Sequence, residues 1–239
     1  MKLSIVIPTY NETEGILIFL KKLKQVLVKL DKEYKPEIII VDDNSPDLTP
    51  KKIKGKYKND KSVRIVVRKK VKGLGTAIGY GVKKAKGGII CGLDADGNHD
   101  VKKIPLMLRT LKTSDLVVAS RFIKGGGAEG FFDKFRHLGS FVLNFILKFF
   151  LGSPVWDSTS GFYAINTNKL RALGLDKIYY GYGDYHLRLV YFAKNKNYLI
   201  KEIPYIYKKR IAGQSKSRLF KMFFDYFIEG IRLCLSKNG

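Results

Sequence analysis

The feature that most constrains the fold is a regular alternation of apolar runs and helical patterns through the first 120 residues. Short runs rich in Ile and Val occupy residues 3–7, 37–41, 63–67, 88–93 and 115–119. Segments with helical apolar spacing lie between them, near residues 12–30, 48–57, 75–86 and 102–112. Continuous apolar strands joined by helices are typical of a parallel sheet that is covered on both faces. The pattern therefore predicts an α/β fold with a mostly parallel central sheet and helices on both of its faces.

Polar clusters follow three of the predicted strands at the point where each strand ends. They lie at residues 10–12, at residues 42–45 and at Asp94-Ala95-Asp96. Because the carboxyl ends of parallel strands share one edge of the sheet, the clusters are expected to meet there, where open α/β folds bind ligands. Paired carboxylates suit Mg²⁺ or Mn²⁺, and such an ion commonly carries a diphosphate. The alternative is that these residues only form polar turns, in which Asp and Asn are common.

The chain carries 45 Lys and Arg residues against 21 Asp and Glu residues, which gives a formal net charge of +24. This excess predicts an anionic partner: a nucleic acid, an acidic lipid surface or a phosphorylated substrate. Nucleic acid is the weakest of the three, because the basic residues are spread widely and no RNA-binding aromatic motif or recognition-helix pattern is present. We therefore expect no nucleic-acid partner.

The composition also indicates where the protein works. Its two cysteines, Cys91 and Cys234, cannot build a disulfide or zinc framework, so a reducing compartment is expected. Because the first residues run directly into a predicted strand, we expect no signal peptide. The longest aliphatic and aromatic run, 141–151, is about half the ~20 residues that a membrane-spanning helix needs. These features predict a cytoplasmic protein that contacts a membrane only peripherally, at its cytoplasmic face.

Two aromatic helices are predicted in the second half, near residues 131–151 and 217–235. The first carries an apolar stripe made of Phe131, Phe135, Leu138, Val142, Phe145 and Phe149. The second carries Phe220, Phe223, Phe224, Phe227, Ile231 and Cys234, with basic residues beside them. Basic amphipathic helices of this kind can lie on an anionic bilayer. The alternative, equally open at this point, is that both helices close the core against the sheet.

Seven motifs follow one another along the chain. They are residues 5–12 (IVIPTYNE), 41–47 (VDDNSPD), 72–77 (KGLGTA), 93–96 (LDAD), 120–122 (SRF), 158–162 (STSGF) and 210–216 (RIAGQSK). In this order they resemble the family 2 glycosyltransferases of GT-A fold, and within them the dolichol-phosphate mannosyltransferases and other polyprenyl-phosphate glycosyltransferases. The resemblance covers nearly the whole chain. It implies a single domain over residues 1–239, with a nucleotide-sugar half (1–122) and an acceptor half (123–239).

The resemblance also implies which residues form the site. The nucleoside positions match Pro8, Tyr10, Glu12, Val41 and Asp43, and the diphosphate and metal positions match Asp94, Ala95 and Asp96. Asn98 stands where the family often has a longer polar residue, and it is the candidate third ligand of a divalent Mg²⁺ or Mn²⁺ ion. The basic residues that face phosphates in the family match Arg121, Arg136, Arg210 and Lys216. Together with Asp96, these four form the expected catalytic set, in which cations separate two anionic substrates.

The implied reaction moves a hexosyl unit, expected to be mannose from GDP-mannose, to dolichyl or another polyprenyl phosphate with inversion. A phosphate nucleophile is already ionised and needs no general base. This agrees with the second half, where the best acids, Asp157 and Asp184, lie outside the expected base motif. Arg188 is a departure, because relatives often carry Glu there. His99 and His137 have no spaced histidine partner, so structural roles are expected.

Several alternatives remain open from the sequence. The donor could be of the UDP-glucose type, or the acceptor a saccharide or protein that needs a carboxylate base. More distant alternatives are a nucleic-acid-binding protein and a non-catalytic adaptor at a lipid surface. Membrane contact could depend on a membrane-embedded partner subunit or on the chain's own basic helices.

Overall fold

The computed structural model describes residues 1–70, 72–212 and 219–235. Its strands are β1 (Lys2–Thr9), β2 (Lys35–Asp42), β3 (Val63–Val67), β4 (Ile89–Gly92), β5 (Leu116–Ser120), β6 (Gly127–Ala128), β7 (Tyr163–Asn166), β8 (Ile200–Pro204) and β9 (Ile206–Tyr207). Its helices are α1 (Ile16–Val28), α2 (Thr49–Lys56), α3 (Leu74–Lys84), α4 (Ile104–Leu111), α5 (Phe131–Leu151), α6 (Thr167–Ala172), α7 (Leu175–Ile178), α8 (Tyr185–Asn195) and α9 (Leu219–Leu235). A single 3₁₀ turn, Val101–Lys103, precedes α4 in the described residues.

The central sheet has seven strands in the order β3-β2-β1-β4-β7-β5-β8. Strands β1 to β4 are mutually parallel, and β5 is parallel to β8. This confirms the predicted α/β fold with a mostly parallel sheet. The exception is β7, which pairs antiparallel with both β4 and β5. The sequence analysis predicted no strand at this position.

The apolar strands bury residues on both faces of the sheet. In β1, Ile5 and Ile7 join a core beneath α1 and α4, whereas Val6 joins a second core beneath α3. All three side chains are inaccessible to solvent. Each such burial contributes roughly 1.5–3 kcal/mol, so the helices on the two faces are held by the same strand. This explains why the strands read as continuous apolar runs rather than as alternating ones.

The first helix begins later than the sequence pattern predicts. The apolar spacing suggested a start near Glu12, whereas α1 begins at Ile16. Asn11 has a φ of 54°, which is incompatible with a right-handed helix at that residue. The Glu12 carbonyl accepts the N–H groups of Gly15 and Ile16, forming the turn that leads into α1. Residues 10–12 are consequently a loop at the carboxyl end of β1.

The aromatic stripe predicted for α5 lies on its exposed side as far as its side chains are described, which leaves out Phe131. Phe135, Phe145 and Phe149 are 76%, 45% and 68% exposed. The buried side of α5 consists of Leu143, Leu147 and Leu151, which cluster with residues of α8 and α9. Helix α5 therefore does close a core, but with these leucines and not with the predicted stripe.

Helix α9 has the same division into a buried and an exposed side. Tyr226 and Leu233 are buried against α5 and α8, whereas Phe224 and Ile228 are both 60% exposed. The side chain of Phe220, part of the predicted stripe, lies outside the described residues. None of the helices in the described parts of the chain has the length and apolarity needed to cross a membrane.

Candidate functional site

One cavity of about 1580 Å³ opens at the edge where β1, β2 and β4 end. It is larger than the ~300–1,000 Å³ of typical small-molecule pockets. The predicted site residues in its lining are Pro8, Tyr10, Glu12, Asp43, Asp94, Ala95, Asp96, Asn98, Arg121, Arg136 and Arg210. The fold thus brings together residues from positions 8 to 210. Val41 lies beside them in β2, but its side chain is buried in the core. Lys216 lies outside the described residues.

One part of the lining, the Asp43 wall, consists of Tyr10, Asp43, Lys72 and Gly73. Asp43 is held from two directions, since Arg68 Nε donates to its Oδ1 at 2.7 Å and the Gly73 N–H donates to its Oδ2 at 2.8 Å. The ammonium of Lys72 lies 5.5 Å from the centre of the Tyr10 ring. The aromatic face of Tyr10 can stack on a base. The fixed carboxylate of Asp43 can accept hydrogen bonds from ribose or base groups.

The acidic centre of the cavity is neutralised by Arg210. Its Nη2 lies 2.6 and 2.8 Å from the two carboxylate oxygens of Glu12, and its Nη1 lies 3.1 Å from Asp96 Oδ2. The residues come from the end of β1, the loop after β4 and the segment after β9. The Ile211 N–H also donates to the Asp96 carbonyl at 3.0 Å, which fixes this segment on the loop. Arg210 is thus placed where a diphosphate would meet the acidic pair.

Asp94 and Asp96 share an environment that disfavours their ionisation. Burial raises the pKa of Asp94 to about 6, and burial together with the charge of Asp94 raises the pKa of Asp96 to about 6. Arg210 acts in the opposite direction on both groups but does not outweigh burial. Two carboxylates that are costly to ionise together attract a further cation.

The residues around Asp94 and Asp96 fit a divalent cation only if groups outside these two carboxylates supply some of its ligands. In the described ranges no group of three His, Cys, Asp or Glu side chains is arranged to hold a metal ion. Asn98 lines the same cavity, and its Nδ2 donates to the Lys208 carbonyl at 2.5 Å. That bond leaves its Oδ1 as the amide atom suited to a cation. Two carboxylates and one amide oxygen form a hard oxygen set, which diphosphate oxygens could complete.

His99 supports the acidic loop from behind. Its Nδ1 accepts the N–H of Asp94 at 3.0 Å, and its Nε2 lies 3.1 Å from the Ser160 carbonyl, to which it donates. This requires a neutral ring, in agreement with burial, which lowers the pKa of His99 to about 4. His137 packs its ring 4.8 Å from that of Phe122, and burial lowers its pKa. Both histidines also line the cavity, so the structural roles expected from the sequence stay a prediction.

Arg121 is held rigidly at the cavity lining by Asp157. Its backbone N–H, Nε and Nη2 donate to the Asp157 carboxylate at 2.9, 2.8 and 2.8 Å, and Nη2 also donates to Thr159 at 2.9 Å. Asp157 is fully buried. Burial alone would raise the pKa of this carboxyl, but the charge and hydrogen bonds of Arg121 outweigh it and hold the pKa below its usual value. Asp157 is therefore the partner of Arg121.

The other acid considered from the sequence, Asp184, is also paired. Its Oδ2 lies 2.6 Å from Nη1 of Arg188, which is buried in α8. A carboxylate of the second half of the chain that does line the cavity is Asp225 of α9, which was not singled out from the sequence. Its position between aromatic residues of an amphipathic helix gave no signal for a site residue.

The model of the family described as "Glycosyl transferase family 2" matches residues 4–174, well over half of the chain. The chain belongs to this family. The match confirms the family and the glycosyltransferase class of enzymes that the seven motifs indicated.

Two family 2 relatives match over most of the chain. The chain is 31% identical to a dolichol-phosphate mannosyltransferase of Pyrococcus furiosus, over 98% of its own length and 64% of that protein. It is 30% identical to an undecaprenyl-phosphate mannosyltransferase of Micrococcus luteus, over 90% of its own length and 87% of that protein. The chain thus spans somewhat less than two thirds of the Pyrococcus relative.

Solved structures with the same fold include glucosyl-3-phosphoglycerate synthase from Mycobacterium tuberculosis. Its complex with Mn²⁺, UDP and phosphoglyceric acid has a TM-score of 0.73 and 18% identity, covering 98% of this chain and 78% of that one. A second complex of it, with Mn²⁺, UDP and glucosyl-3-phosphoglycerate, has a TM-score of 0.71 and 19% identity. That match covers 98% of this chain and 80% of the other one. At this identity the likeness establishes a shared fold.

What the sequence did not reveal at this site is mainly how the predicted residues are supported. Arg68 holds Asp43, and Thr159 and Asp157 hold Arg121. Arg68 follows β3 directly, so the sequence could have placed it at the same sheet edge as Asp43. The contact between Arg121 and Asp157 joins residues 36 positions apart, and no sequence pattern indicates it.

Proposed function

We propose that the chain transfers a mannosyl unit from GDP-mannose to dolichyl or another polyprenyl phosphate. The observation that carries this proposal is the continuity of the cavity. Its lining includes the acidic centre at Asp94 and Asp96 and also side chains of α5 and α9, among them the exposed aromatic residues Phe135 and Phe224. A sugar nucleotide at the acidic centre and a lipid phosphate entering beside the helices would then share one space. The two relatives named for lipid-phosphate mannosyl transfer support the same acceptor class.

In the proposed reaction an acceptor phosphate oxygen attacks the anomeric carbon of the sugar. The bond from that carbon to the diphosphate oxygen breaks, and its electron pair leaves with the nucleoside diphosphate, so the configuration is inverted. A divalent ion, Mg²⁺ or Mn²⁺, held by Asp94, Asp96 and Asn98, would stabilise the charge on the leaving diphosphate.

The basic residues of the lining have complementary tasks in this proposal. Arg210, which bridges Glu12 and Asp96, would donate hydrogen bonds to the donor diphosphate as well. Arg121 is already oriented by Asp157 and would stabilise phosphate charge without rearrangement. Arg136 of α5 lines the acceptor side and is proposed to bind the acceptor phosphate together with Lys216.

The direct test is incubation with labelled GDP-mannose, Mg²⁺ or Mn²⁺ and dolichyl phosphate, followed by lipid extraction. UDP-glucose and UDP alone serve as the donor controls, and excess EDTA serves as the metal control. We expect label in the lipid fraction with GDP-mannose and loss of that label with EDTA. Failure of every nucleotide sugar to label lipid would refute the proposed acceptor.

A second candidate is transfer to a saccharide or protein hydroxyl, and Asp225 is the observation that favours it. This carboxylate lines the acceptor side of the cavity and could serve as the general base that a hydroxyl requires. Asp225→Asn separates the two candidates. With a phosphate acceptor kcat should change little, whereas with a hydroxyl acceptor kcat should fall by about 10²–10⁴-fold and the acidic limb of its pH profile should disappear.

We further propose that the chain binds an anionic membrane peripherally, at the cytoplasmic face. The exposed sides of α5 and α9 offer apolar contacts, and the net charge of +24 favours acidic lipids. Flotation with vesicles that contain or lack anionic lipid tests this directly. Binding by the purified chain alone would argue against a required membrane-embedded partner, and binding only after a partner is added would favour one.

A further inference from the structure

Behind the cavity lies a buried cluster of charged residues centred on Arg188 of α8. The guanidinium is fully buried, and its Nη1 lies 2.6 Å from Asp184 Oδ2 and 3.2 Å from Glu229 Oε1 of α9. Its remaining donors are directed to backbone: Nε donates to the Ile178 carbonyl at 2.8 Å, and Nη2 donates to the Tyr180 carbonyl. Four acceptors are therefore satisfied by one planar side chain.

These contacts hold the segment between α7 and α8 at both of its ends. The carbonyls of Ile178 and Tyr180 lie at its start, and the carboxylate of Asp184 lies at its end. Between them, Tyr182 and Gly183 reach the cavity and form part of its lining. Arg188 itself does not line the cavity. It acts on the lining indirectly, through the segment 178–184 and through its ion pair with Glu229 of α9.

The opposite side of this segment packs against the glycine motif at the start of α3. A Cβ added to Gly75 would lie 2.5 Å from the Tyr180 carbonyl oxygen, and one added to Gly73 would lie 2.9 Å from the Gly181 carbonyl oxygen. Both distances are closer than real Cβ contacts allow, so the two backbones touch directly. The same Gly73 donates its N–H to Asp43. A shift of the segment would therefore be transmitted to the Asp43 wall.

We propose that Arg188 is a positioning residue for the nucleotide end of the cavity. It clamps segment 178–184 against Gly73 and Gly75 and so sets the distance between Asp43 and the Tyr182–Gly183 lining. The inference rests on the proposed function, because it takes the Asp43 wall as the nucleoside site. An arginine is required since its fork reaches two carbonyls and two carboxylates at once, whereas lysine presents a single point charge.

A purely structural role predicts a different outcome, so the two can be separated. Arg188→Lys keeps the positive charge between Asp184 and Glu229 but cannot hold all four acceptors. If Arg188 only neutralised buried carboxylates, the lysine variant would bind nucleotides like the wild type. If Arg188 positions the segment, nucleotide binding should weaken even where the variant remains folded.

The experiment is calorimetric titration of the full chain with GDP and UDP in the presence of Mn²⁺, beside thermal unfolding of each variant. For Arg188→Lys we expect the nucleotide Kd to rise about tenfold. A change of this size corresponds to the loss or misalignment of one hydrogen bond. In the transfer assay the donor KM should rise in parallel, with kcat at saturating donor little changed. Unchanged nucleotide affinity in a folded Arg188→Lys variant would overturn the proposal.

A second variant tests the contact between segment 178–184 and α3 by changing the α3 residue. Gly75→Ala places a methyl against the Tyr180 carbonyl, and Gly75 does not line the cavity. Its matched control is Gly55→Ala in α2, where an added Cβ meets nothing within 4 Å. We expect weaker nucleotide binding for Gly75→Ala alone, and equal affinity for both glycine variants would also overturn the proposal. If the wild type binds neither nucleotide, the proposed function itself fails.

Discussion

Replacing Asp157 by Asn tests whether this carboxylate is a buried ion-pair partner or a catalytic base. Asp157 is fully buried and accepts three hydrogen bonds from Arg121. Asparagine keeps the shape of the side chain but removes its negative charge, so Arg121 loses its buried counter-ion. We expect a loss of stability large enough to measure in a single unfolding experiment.

The expected magnitude follows from the burial of the pair. Removing one partner of a buried ion pair costs about 3–5 kcal/mol, and we expect at least about 3 kcal/mol, because only the amide oxygen can still accept from Arg121 while the NH₂ group replaces the other acceptor. For a chain of this size, 1 kcal/mol corresponds to about 2–4 °C in Tm, so Tm should fall by roughly 6–12 °C. Since the folded pKa of Asp157 is lowered, its contribution is complete above the unfolded value, near 4, and disappears as pH falls through the folded pKa.

The assay is thermal and urea unfolding of the wild type and Asp157→Asn at several pH values, together with the transfer assay. Asp176→Asn is the matched control, because Asp176 forms an ion pair with Lys83 while its side chain is 90% exposed. The control should leave Tm unchanged. An Asp157→Asn variant of normal stability that has lost turnover and the acidic limb of its pH profile would refute the reasoning and identify a general base.

Three further predictions concern the acidic centre, a buried histidine and the exposed helices. Asp96→Ala should abolish turnover and Mn²⁺-dependent nucleotide binding in calorimetry, while Asp176→Asn should retain both, and normal binding by Asp96→Ala would argue against the metal site. Burial lowers the pKa of His186 to about 4. The unfolded chain therefore takes up this proton first, so the contribution of His186 to stability should fall by roughly 2 kcal/mol between pH 7 and 5. In urea unfolding, the difference in stability between wild type and His186→Gln should change by that amount over this pH range. Phe149→Glu should weaken flotation with anionic vesicles without changing Tm, and equal flotation would exclude this residue from the membrane contact.

The acidic edge of the cavity could be predicted because its residues follow strands. Asp43 follows β2 and Asp94 follows β4, and both strands are parallel to β1. In a parallel sheet the strand ends must share an edge, so local pattern alone brings these residues together. The beginning of α1 was less predictable, since only the φ of Asn11 distinguishes a loop from a helical turn at residues 10–12.

Other parts of the cavity depended on contacts between distant residues. Arg210 reaches Glu12 across 198 positions, and Asp157 reaches Arg121 across 36. Neither spacing carries a local signal. The same holds for Arg188, which looked like an unexplained departure in the sequence and lies at the centre of a buried charge cluster in the structure.

The sequence by itself determined the layered α/β architecture, the family and the sheet edge where the acidic residues meet, because these follow from hydrophobic period and strand order. Only the tertiary structure decided which charged groups are paired and which face of each amphipathic helix is buried. Periodicity identifies an apolar stripe on α5, but burial depends on what packs against it, and Leu143 and Leu147 are covered while Phe145 and Phe149 are exposed. Charge pairing likewise depends on distances between elements, which the folded chain alone defines.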